Sequence, residues 1–567
     1  MDARVVGRLV VGLLAVVFTV SGLRQAWADS PTVDEGVGLA SGLSYWVHGD
    51  LRMSPEHPVL PKLVSAAPAL AAGPIVPKGT DWDDGDWFDH TDAVLAANDA
   101  EGDLRRVVFL SRLVPLALAL VAGLLVHHLA RRLAGDGAGL VAAGAWLTTP
   151  VVLGLGAVQS IDIAFTVATL AVVAALVRHH DRPDLRSAAL VGVVLAVALV
   201  TRHSALVLVP VALVAVAVSC PGDRAARLRH VGVAGLVGWV GLWLVYRGFD
   251  PASPGGAPGE RFDALVAAAG DRSVLARLAL IVPAPQEWRV GLGHLTVTSD
   301  PRPAWLLGRA WEGSRWWYFP GALVATVPFP VLGLLVAGPL GWVAGPREQR
   351  RPLALVALPG LALFAFTALQ PLNLGLRLAM PSLALWLVVA AAGAGHAVCA
   401  ARARWPGAVV PGRILLALVA LVQAGVLLSA SSHALAWRPL AFRPGYRWVS
   451  DSNIDFGQDL WRVRDWAEGR DDPWVAVISP RGLAPGPGTR RLVGADLDEV
   501  TGWLAVGVTS LTVVNRDDLA WLRAYCPVGT LGGGSTLVYR LREPPSAAPG
   551  PERPVAPCED EEFSVRR

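Results

Sequence analysis

Val108-Phe109-Leu110-Ser111-Arg112-Leu113-Val114-Pro115-Leu116-Ala117-Leu118-Ala119-Leu120-Val121-Ala122-Gly123-Leu124-Leu125-Val126-His127-His128-Leu129-Ala130, closed by Arg131-Arg132, is the stretch on which the fold class turns. Coiled as an α-helix at ~1.5 Å per residue it reaches about 35 Å, enough to cross a hydrocarbon core of about 30 Å. It is mostly Leu, Val and Ala around a single arginine, Arg112, and lacks the polar/apolar alternation of an outer-membrane barrel strand. Lipid offers backbone N–H and C=O groups no partner outside the segment, so the run reads as a membrane-spanning helix.

Similar runs recur on both sides. Spans are expected near 8–27, 108–130, 138–155, 161–178, 187–201, 203–219, 231–247, 321–343, 353–369, 377–400 and 412–431. The 567-residue chain is 53% hydrophobic and 17% charged, against roughly a quarter charged in a soluble protein, and its charges gather between the runs. The fold class expected is an all-α polytopic membrane protein with about 11 transmembrane helices, of the length a bilayer requires. The net charge of +3 includes no basic tract of the kind that holds nucleic acid, so no nucleic-acid partner is expected. Lysine occurs only at Lys62 and Lys78, and the Arg, Ala and Val bias points to a GC-rich bacterial genome.

Basic loops orient the chain. Alternate short connections carry Arg131/Arg132, Arg178/Arg182/Arg186, Arg224/Arg227/Arg229, Arg347/Arg350/Arg351 and Arg402/Arg404. All share a side with Arg4 and Arg8, and the positive-inside rule makes that side cytoplasmic. The connections opposite, Gln159–Asp162, Thr201–His203 and Gln370–Arg377, are poor in charge. A bacterial plasma-membrane protein with a cytoplasmic N-terminus and an extracytoplasmic C-terminus is expected. Arg4, Arg8, an apolar run and Ala26-Trp27-Ala28 also resemble a signal peptide with its cleavage site. The run is long enough to anchor, and the segment after it is exported in either case.

Residues 1–431 thus read as a transmembrane domain with outer loops 28–107 and 248–320. Residues 432–543 read as an extracytoplasmic α/β domain, strand-like at Trp474–Ser479, Ser510–Asn515 and Thr536–Leu541 and helix-like at Asp459–Glu468 and Leu519–Tyr525. Residues 544–567, Pro-rich and then acidic, read as a disordered tail. Cys526 and Cys558 lie outside, where they are able to pair, while Cys220 and Cys399 fall at cytoplasmic span ends.

The first outer loop opens Asp29-Ser30-Pro31-Thr32-Val33-Asp34-Glu35-Gly36. A partly desolvated carboxylate is a better proton acceptor than a solvated one. An Asp-Glu pair in a first helical turn is also an ordinary cap, and the residues alone leave both readings open. Ser54-Pro55-Glu56-His57-Pro58-Val59-Leu60-Pro61-Lys62-Leu63 then leads into an apolar segment ending at Ala72, too short to span and suited to an interfacial or re-entrant helix. Lys62 at that depth suits a phosphate as a point charge, or snorkels to headgroups. The run Asp81–Asp89 misses the spacing of an EF-hand and reads as a solvated acidic loop with interfacial tryptophans. Asp162, Arg202 and Arg377 sit in the outer connections. Arginines there run against the bias that orients the chain, which makes them candidates for holding an anion. Trp311–Pro320 reads as an aromatic belt, with sugar stacking as the alternative.

In this order the motifs resemble the protein O-mannosyltransferase and aminoarabinose-transferase superfamily, membrane glycosyltransferases of the C-type fold. Val33-Asp34-Glu35-Gly36 resembles its Asp-Glu motif, and Glu56–Leu63 resembles its His-Pro-Pro-Leu-x-Lys-Leu segment, with Val59 replacing the second proline. Phe109-Leu110-Ser111-Arg112-Leu113 resembles its Arg-Leu-Pro entrance to the second span, here with Val114 before Pro115. Ser160–Phe165 resembles Thr-Asp-x-Ala-Phe, and Leu199–Leu206 resembles Leu-Thr-Lys-x-Ser-Ala-Leu, with Arg202 where lysine is usual. Trp316–Pro320, Asn373–Arg377 and Ser450–Leu460 resemble stretches of its bacterial members.

The resemblance implies a polyprenyl-phosphate sugar donor and an acceptor hydroxyl on a protein, lipid or polysaccharide, with inverting transfer at the outer face. It implies Asp34 as catalytic base with Glu35 beside it, and Arg202, with Lys62, His57 or Arg377, holding the donor phosphate. Glu56, Asp162 and Arg112 would support the site. Metal dependence stays open, since Asp34, Glu35 and Glu56 can bind a divalent cation but no full ligand set is visible. The alternative class is a transporter or flippase of a lipid-linked or anionic substrate, which also lines a membrane path with charges. Against it, the spans show no evident inverted repeat, and it leaves the large outer loops without a purpose.

Overall fold

The computed structural model describes residues 3–79, 81–82, 85–249, 282–297, 301–405, 407, 409–558 and 562–567. Much of the outer loop expected over 248–320, and Asp83-Asp84 of the acidic run, lie outside the described residues. The chain opens with α1 (Ala3–Ala28), α2 (Val33–His48), α3 (Leu60–Ala69) and α4 (Trp87–Ala100). It continues through α5 (Leu104–Ala134), α6 (Asp136–Leu147), α7 (Pro150–Gly156), α8 (Ile161–Asp181), α9 (Leu185–Leu199), α10 (Leu208–Ser219) and α11 (Arg224–Phe249). After α12 (Gln286–Val297) a hairpin of β1 (Pro303–Leu306) and β2 (Arg309–Glu312) precedes α13 (Tyr318–Thr326) and α14 (Phe329–Ala337). Then come α15 (Arg350–Leu369), α16 (Met380–Arg404) and α17 (Val409–Ala430).

Among the described residues six helices are long and apolar enough to cross a membrane: Val5–Ala28, Leu104–Ala134, Ile161–Asp181, Arg224–Phe249, Arg347–Leu369 and Leu376–Arg404. The chain is a multi-pass membrane protein. The α6–α7 pair is as apolar but bent by 64°, the shape of a broken span or a re-entrant loop. Four other expected spans fall on shorter or broken helices. Local chemistry explains the breaks. A residue before proline is pushed out of the helical region, and Thr149 before Pro150 (φ −88°, ψ 111°) and Val327 before Pro328 (φ −92°, ψ 139°) are both extended. Between α9 and α10 the chain extends at Arg202 (φ −157°, ψ 139°).

Helices α5, α8 and α16 pack against one another at the centre, burying Ala122, Val126, Trp146, Leu170, Val173, Leu387 and Val388. Leu124, Val218, Leu244 and Leu421 face outward, as lipid-facing side chains do. The interfacial segment expected up to Ala72 is α3 followed by one tighter turn, Leu70–Ala72.

The C-terminal region contains α18 (Leu460–Ala467) and the strands β3 (Trp474–Ala476), β4 (Arg490–Arg491), β5 (Gly502–Gly507), β6 (Gly529–Leu531) and β7 (Thr536–Leu541). They form one sheet in the order β4-β3-β5-β7-β6, parallel across β4-β3-β5 and antiparallel across β5-β7-β6. One face is covered by α18, whose Val463 packs on Val475 and Ala505. Two readings of this region change. Ser510–Asn515, β-branched and read as a strand, is a helical turn closed by the Asn515 N–H on the Ser510 carbonyl at 2.9 Å. The tail read as disordered is folded back onto the sheet. Cys558 is disulfide-bonded to Cys526, Ser564 N–H donates to the Arg540 carbonyl at 2.9 Å, and Phe563 lies under Arg540 and Arg542 at 4.4 and 4.2 Å. Composition signalled disorder there, but three kinds of tertiary contact outweigh it.

Candidate active site

The junction of α1 and α2 separates the two adjacent carboxylates. Successive residues on a helix point about 100° apart, so one of two neighbours turns inward when the other faces out. Thr32 caps α2, and Glu35 returns to its N–H at 3.0 Å in a capping box. Glu35 is fully buried. Arg112 of α5 donates to it twice, Nε to Oε1 at 2.7 Å and Nη2 to Oε2 at 2.6 Å, and the Gln159 N–H adds 2.7 Å. The remaining Arg112 donors reach the carbonyls of Ala26, Asp29 and Ser30. Every polar atom of this pair is engaged, so Glu35 and Arg112 fasten the junction and leave no lone pair for a substrate proton. That differs from the role beside Asp34 expected of Glu35, because the arginine that occupies it comes from a distant helix.

Asp34 faces the other way. Its side chain is 56% exposed and pairs with Arg377, Oδ2 to Nη1 at 2.5 Å. Arg377 is 12% exposed, lies over the Phe456 ring at 4.4 Å and donates Nε to the Leu374 carbonyl at 3.1 Å. The loop carrying it is held on all sides. Gly375 N–H donates to Tyr318 Oη at 2.7 Å, Leu376 N–H to Asn453 Oδ1 at 2.9 Å, and Ser452 Oγ to the Leu374 carbonyl at 2.7 Å. Gly375 has φ +92°, and a Cβ there would stand 2.1 Å from Ser452 Oγ, so only glycine fits.

Asp162, buried at the start of α8, and the partly buried Arg202 form an ion pair through Oδ1 and Nη1. Lys62, also buried, donates Nζ to the carbonyls of Ser54 (2.5 Å) and His57 (2.7 Å). Burial pulls its ammonium down to about 7, with the Glu56 carboxylate opposing. Burial, with Arg202, Lys62, His203 and Arg377 nearby, holds the His57 imidazole well below the usual histidine range. His57 is therefore a neutral group rather than a further cation. Burial raises the Glu56 carboxyl, with the Asp34 charge adding to the rise and Lys62 opposing it. Glu56 stands 3.7 Å from His294 of α12. These mutual influences place Asp34, Glu56, His57, Lys62, Arg202 and Arg377 around one charged region. Among the described residues no three His, Cys, Asp or Glu side chains stand close enough together to hold a metal ion.

The segment Ser450–Leu460 has a role the sequence left unassigned. Phe456 C=O accepts from Val33 N–H at 3.2 Å and Gln458 C=O from Ser30 N–H at 3.0 Å, so it grips the strand-like lead into α2. With Ser452 and Asn453 on the Arg377 loop, it ties both halves of the Asp34–Arg377 pair to one backbone. Asp451 beside it has φ +57°, an uncommon conformation for a residue with a side chain, and burial raises its carboxyl against the pull of Arg377. The available signal was the run of small polar residues Ser450-Asp451-Ser452-Asn453, which marks a turn but not its partners.

Fold and site together define a multi-pass membrane protein whose half-exposed Asp34 carboxylate pairs with Arg377. The family described as dolichyl-phosphate-mannose-protein mannosyltransferase matches residues 106–246, about a quarter of the chain. No curated protein sequence matches it. Among solved structures it is similar to ArnT from Cupriavidus metallidurans bound to undecaprenyl phosphate, at 14% identity and TM-score 0.44, over 95% of this chain and 98% of that one. It is also similar to the archaeal oligosaccharyltransferase AglB from Archaeoglobus fulgidus in complex with an inhibitory peptide and a dolichol-phosphate, at 10% identity and TM-score 0.44, over 94% of this chain and 74% of that one.

Proposed function

We propose that the chain is a glycosyltransferase that moves a sugar from a polyprenyl-phosphate donor to an acceptor hydroxyl of a protein, lipid or polysaccharide. The observation that carries this reading is a half-exposed Asp34 carboxylate paired with Arg377, in a charged region that Arg202 shares through Asp162 and Lys62 through Glu56. The similarity of residues 106–246 to a family that uses a lipid-phosphate mannose supports the donor class.

Asp34 accepts the proton of the acceptor hydroxyl as its oxygen attacks the anomeric carbon. The bond from that carbon to the phosphate oxygen breaks, and the phosphate leaves with the electron pair. Arg202, Arg377 and Lys62 offset the charge that grows on it, in a region screened from water. His57, neutral, contributes hydrogen bonding, while Glu56 and Asp162 hold the cations in place. One displacement of this kind inverts the anomeric centre. If the shorter and bent apolar helices also cross, the count is eleven, and with the cytoplasmic N-terminus set by the basic loops the C-terminal α/β region lies outside, where the Cys526–Cys558 bond suits an oxidising compartment.

The test is transfer by purified protein in detergent, where no second compartment exists. A glycosylated acceptor with the anomeric configuration opposite to that of the donor supports the reading. Retention of configuration removes the single displacement. Absence of transfer, combined with translocation of an intact lipid-linked substrate by the reconstituted protein, replaces the enzyme with a transporter.

A further inference from the structure

Asp34 and Arg377 are joined to each other, yet the reaction proposed above needs them apart. The Asp34 Oδ2 that Arg377 Nη1 holds at 2.5 Å is turned toward the guanidinium rather than toward an acceptor hydroxyl. Arg377 commits Nη1 to that carboxylate and Nε to the Leu374 carbonyl, so a phosphate approaching Nη1 meets a competitor of its own charge. The two partners differ in freedom. Arg377 is fixed by the Phe456 ring, the Leu374 carbonyl, and the hydrogen bonds of Tyr318, Ser452 and Asn453 to its loop. Asp34 is more than half exposed and has no other side-chain partner among the described residues. The carboxylate is the member able to swing away.

We propose that the Asp34–Arg377 pair is a lock that the donor itself opens. The lipid-linked phosphate competes for the Arg377 guanidinium, displaces the Asp34 carboxylate, and so frees the base only once a donor is in place. A phosphate ester offers Arg377 Nη1 an anionic oxygen, as the Asp34 carboxylate does, so one anionic acceptor replaces another. Binding order follows: donor first, then acceptor, with no proton taken from an acceptor hydroxyl in the empty site. Phe456 and Asn453 act as positioning residues, keeping the guanidinium still while its partner changes. This inference rests on the donor class given under Proposed function.

The experiment is equilibrium binding of sugar-free polyprenyl phosphate to the purified full-length protein in detergent. Asp34→Asn keeps the shape of the side chain and removes the competing charge. It is expected to bind the lipid phosphate roughly three- to fivefold tighter than wild type, the scale of a partly exposed ion pair. In an Arg377→Ala background the same Asp34→Asn change is expected to leave affinity unaltered. Arg377→Gln, which retains bulk over Phe456, provides a second background should the alanine variant melt at low temperature. Equal tightening in both backgrounds would reduce the effect to general charge and overturn the lock, as would no tightening at all. Absence of binding by wild type and every cooperatively melting variant would overturn the donor class, and the lock with it.

Discussion

Asp34 and Glu35 are chain neighbours of one chemical type whose fates are set by helical phase. Removing the Glu35 charge leaves Arg112 buried without its counter-ion, and breaking a buried pair in this way costs about 3–5 kcal/mol. Glu35→Gln should therefore lower the melting temperature in detergent steeply, whereas Asp34→Asn should abolish transfer with the melting temperature within a degree or so of wild type. Equal destabilisation by both would place Asp34 in the structural frame. Lys62 allows a second test at this scale. An ammonium is charged below its pKa, so the attraction Lys62 offers a phosphate is full below about pH 7 and is lost as pH rises through that value. Donor affinity should fall from about pH 6 to about pH 9, and Lys62→Arg should flatten the fall, since a guanidinium stays charged throughout. A flat wild-type profile would remove Lys62 from the donor site. The charged residues themselves were legible in the sequence. Their pairing was not, because Arg112 lies 77 positions from Glu35 and Arg377 lies 343 from Asp34, and no periodicity connects such distances.

At the scale of elements, apolar length located the helices and prolines decided where they break. Reading 138–155 and 321–343 as continuous spans gave too little weight to Pro150 and Pro328, which push Thr149 and Val327 out of the helix. In the C-terminal region β5 spans Gly502–Gly507, with glycine at each end, whereas local preference favours the β-branched run that follows it. Tertiary pairing with β3 and β7 outweighs that local preference. The element most informative for the site is the loop 373–377 under its clamp. Gly375→Ala forces a side chain into a left-handed conformation against Ser452 Oγ, at a strain of about 1–3 kcal/mol. Donor affinity and kcat should both fall, roughly tenfold or more by that strain, while Asn453→Ala should reproduce part of the loss. Unchanged kinetics in the glycine variant would show that the position of Arg377 is immaterial to turnover.

For the whole molecule, a multi-pass chain places its site on one side of a bilayer, and the cysteines report which side. Denatured protein should yield two further alkylatable thiols after reduction, those of Cys526 and Cys558, while the exposed Cys399 in intact cells should react only with a membrane-permeant maleimide. Labelling of Cys399 by an impermeant reagent would invert the orientation. On either side of the bilayer, the proposed enzyme class rests on one carboxylate. The decisive measurement is release of polyprenyl phosphate from a panel of polyprenyl-phosphate sugars by wild type and Asp34→Asn, in a membrane extract that supplies acceptors. Turnover of one donor by wild type, lost in the stably folded variant, is the result expected. Turnover that survives the substitution would contradict Asp34 as base, and silence from folded wild type with every donor would contradict the glycosyltransferase itself.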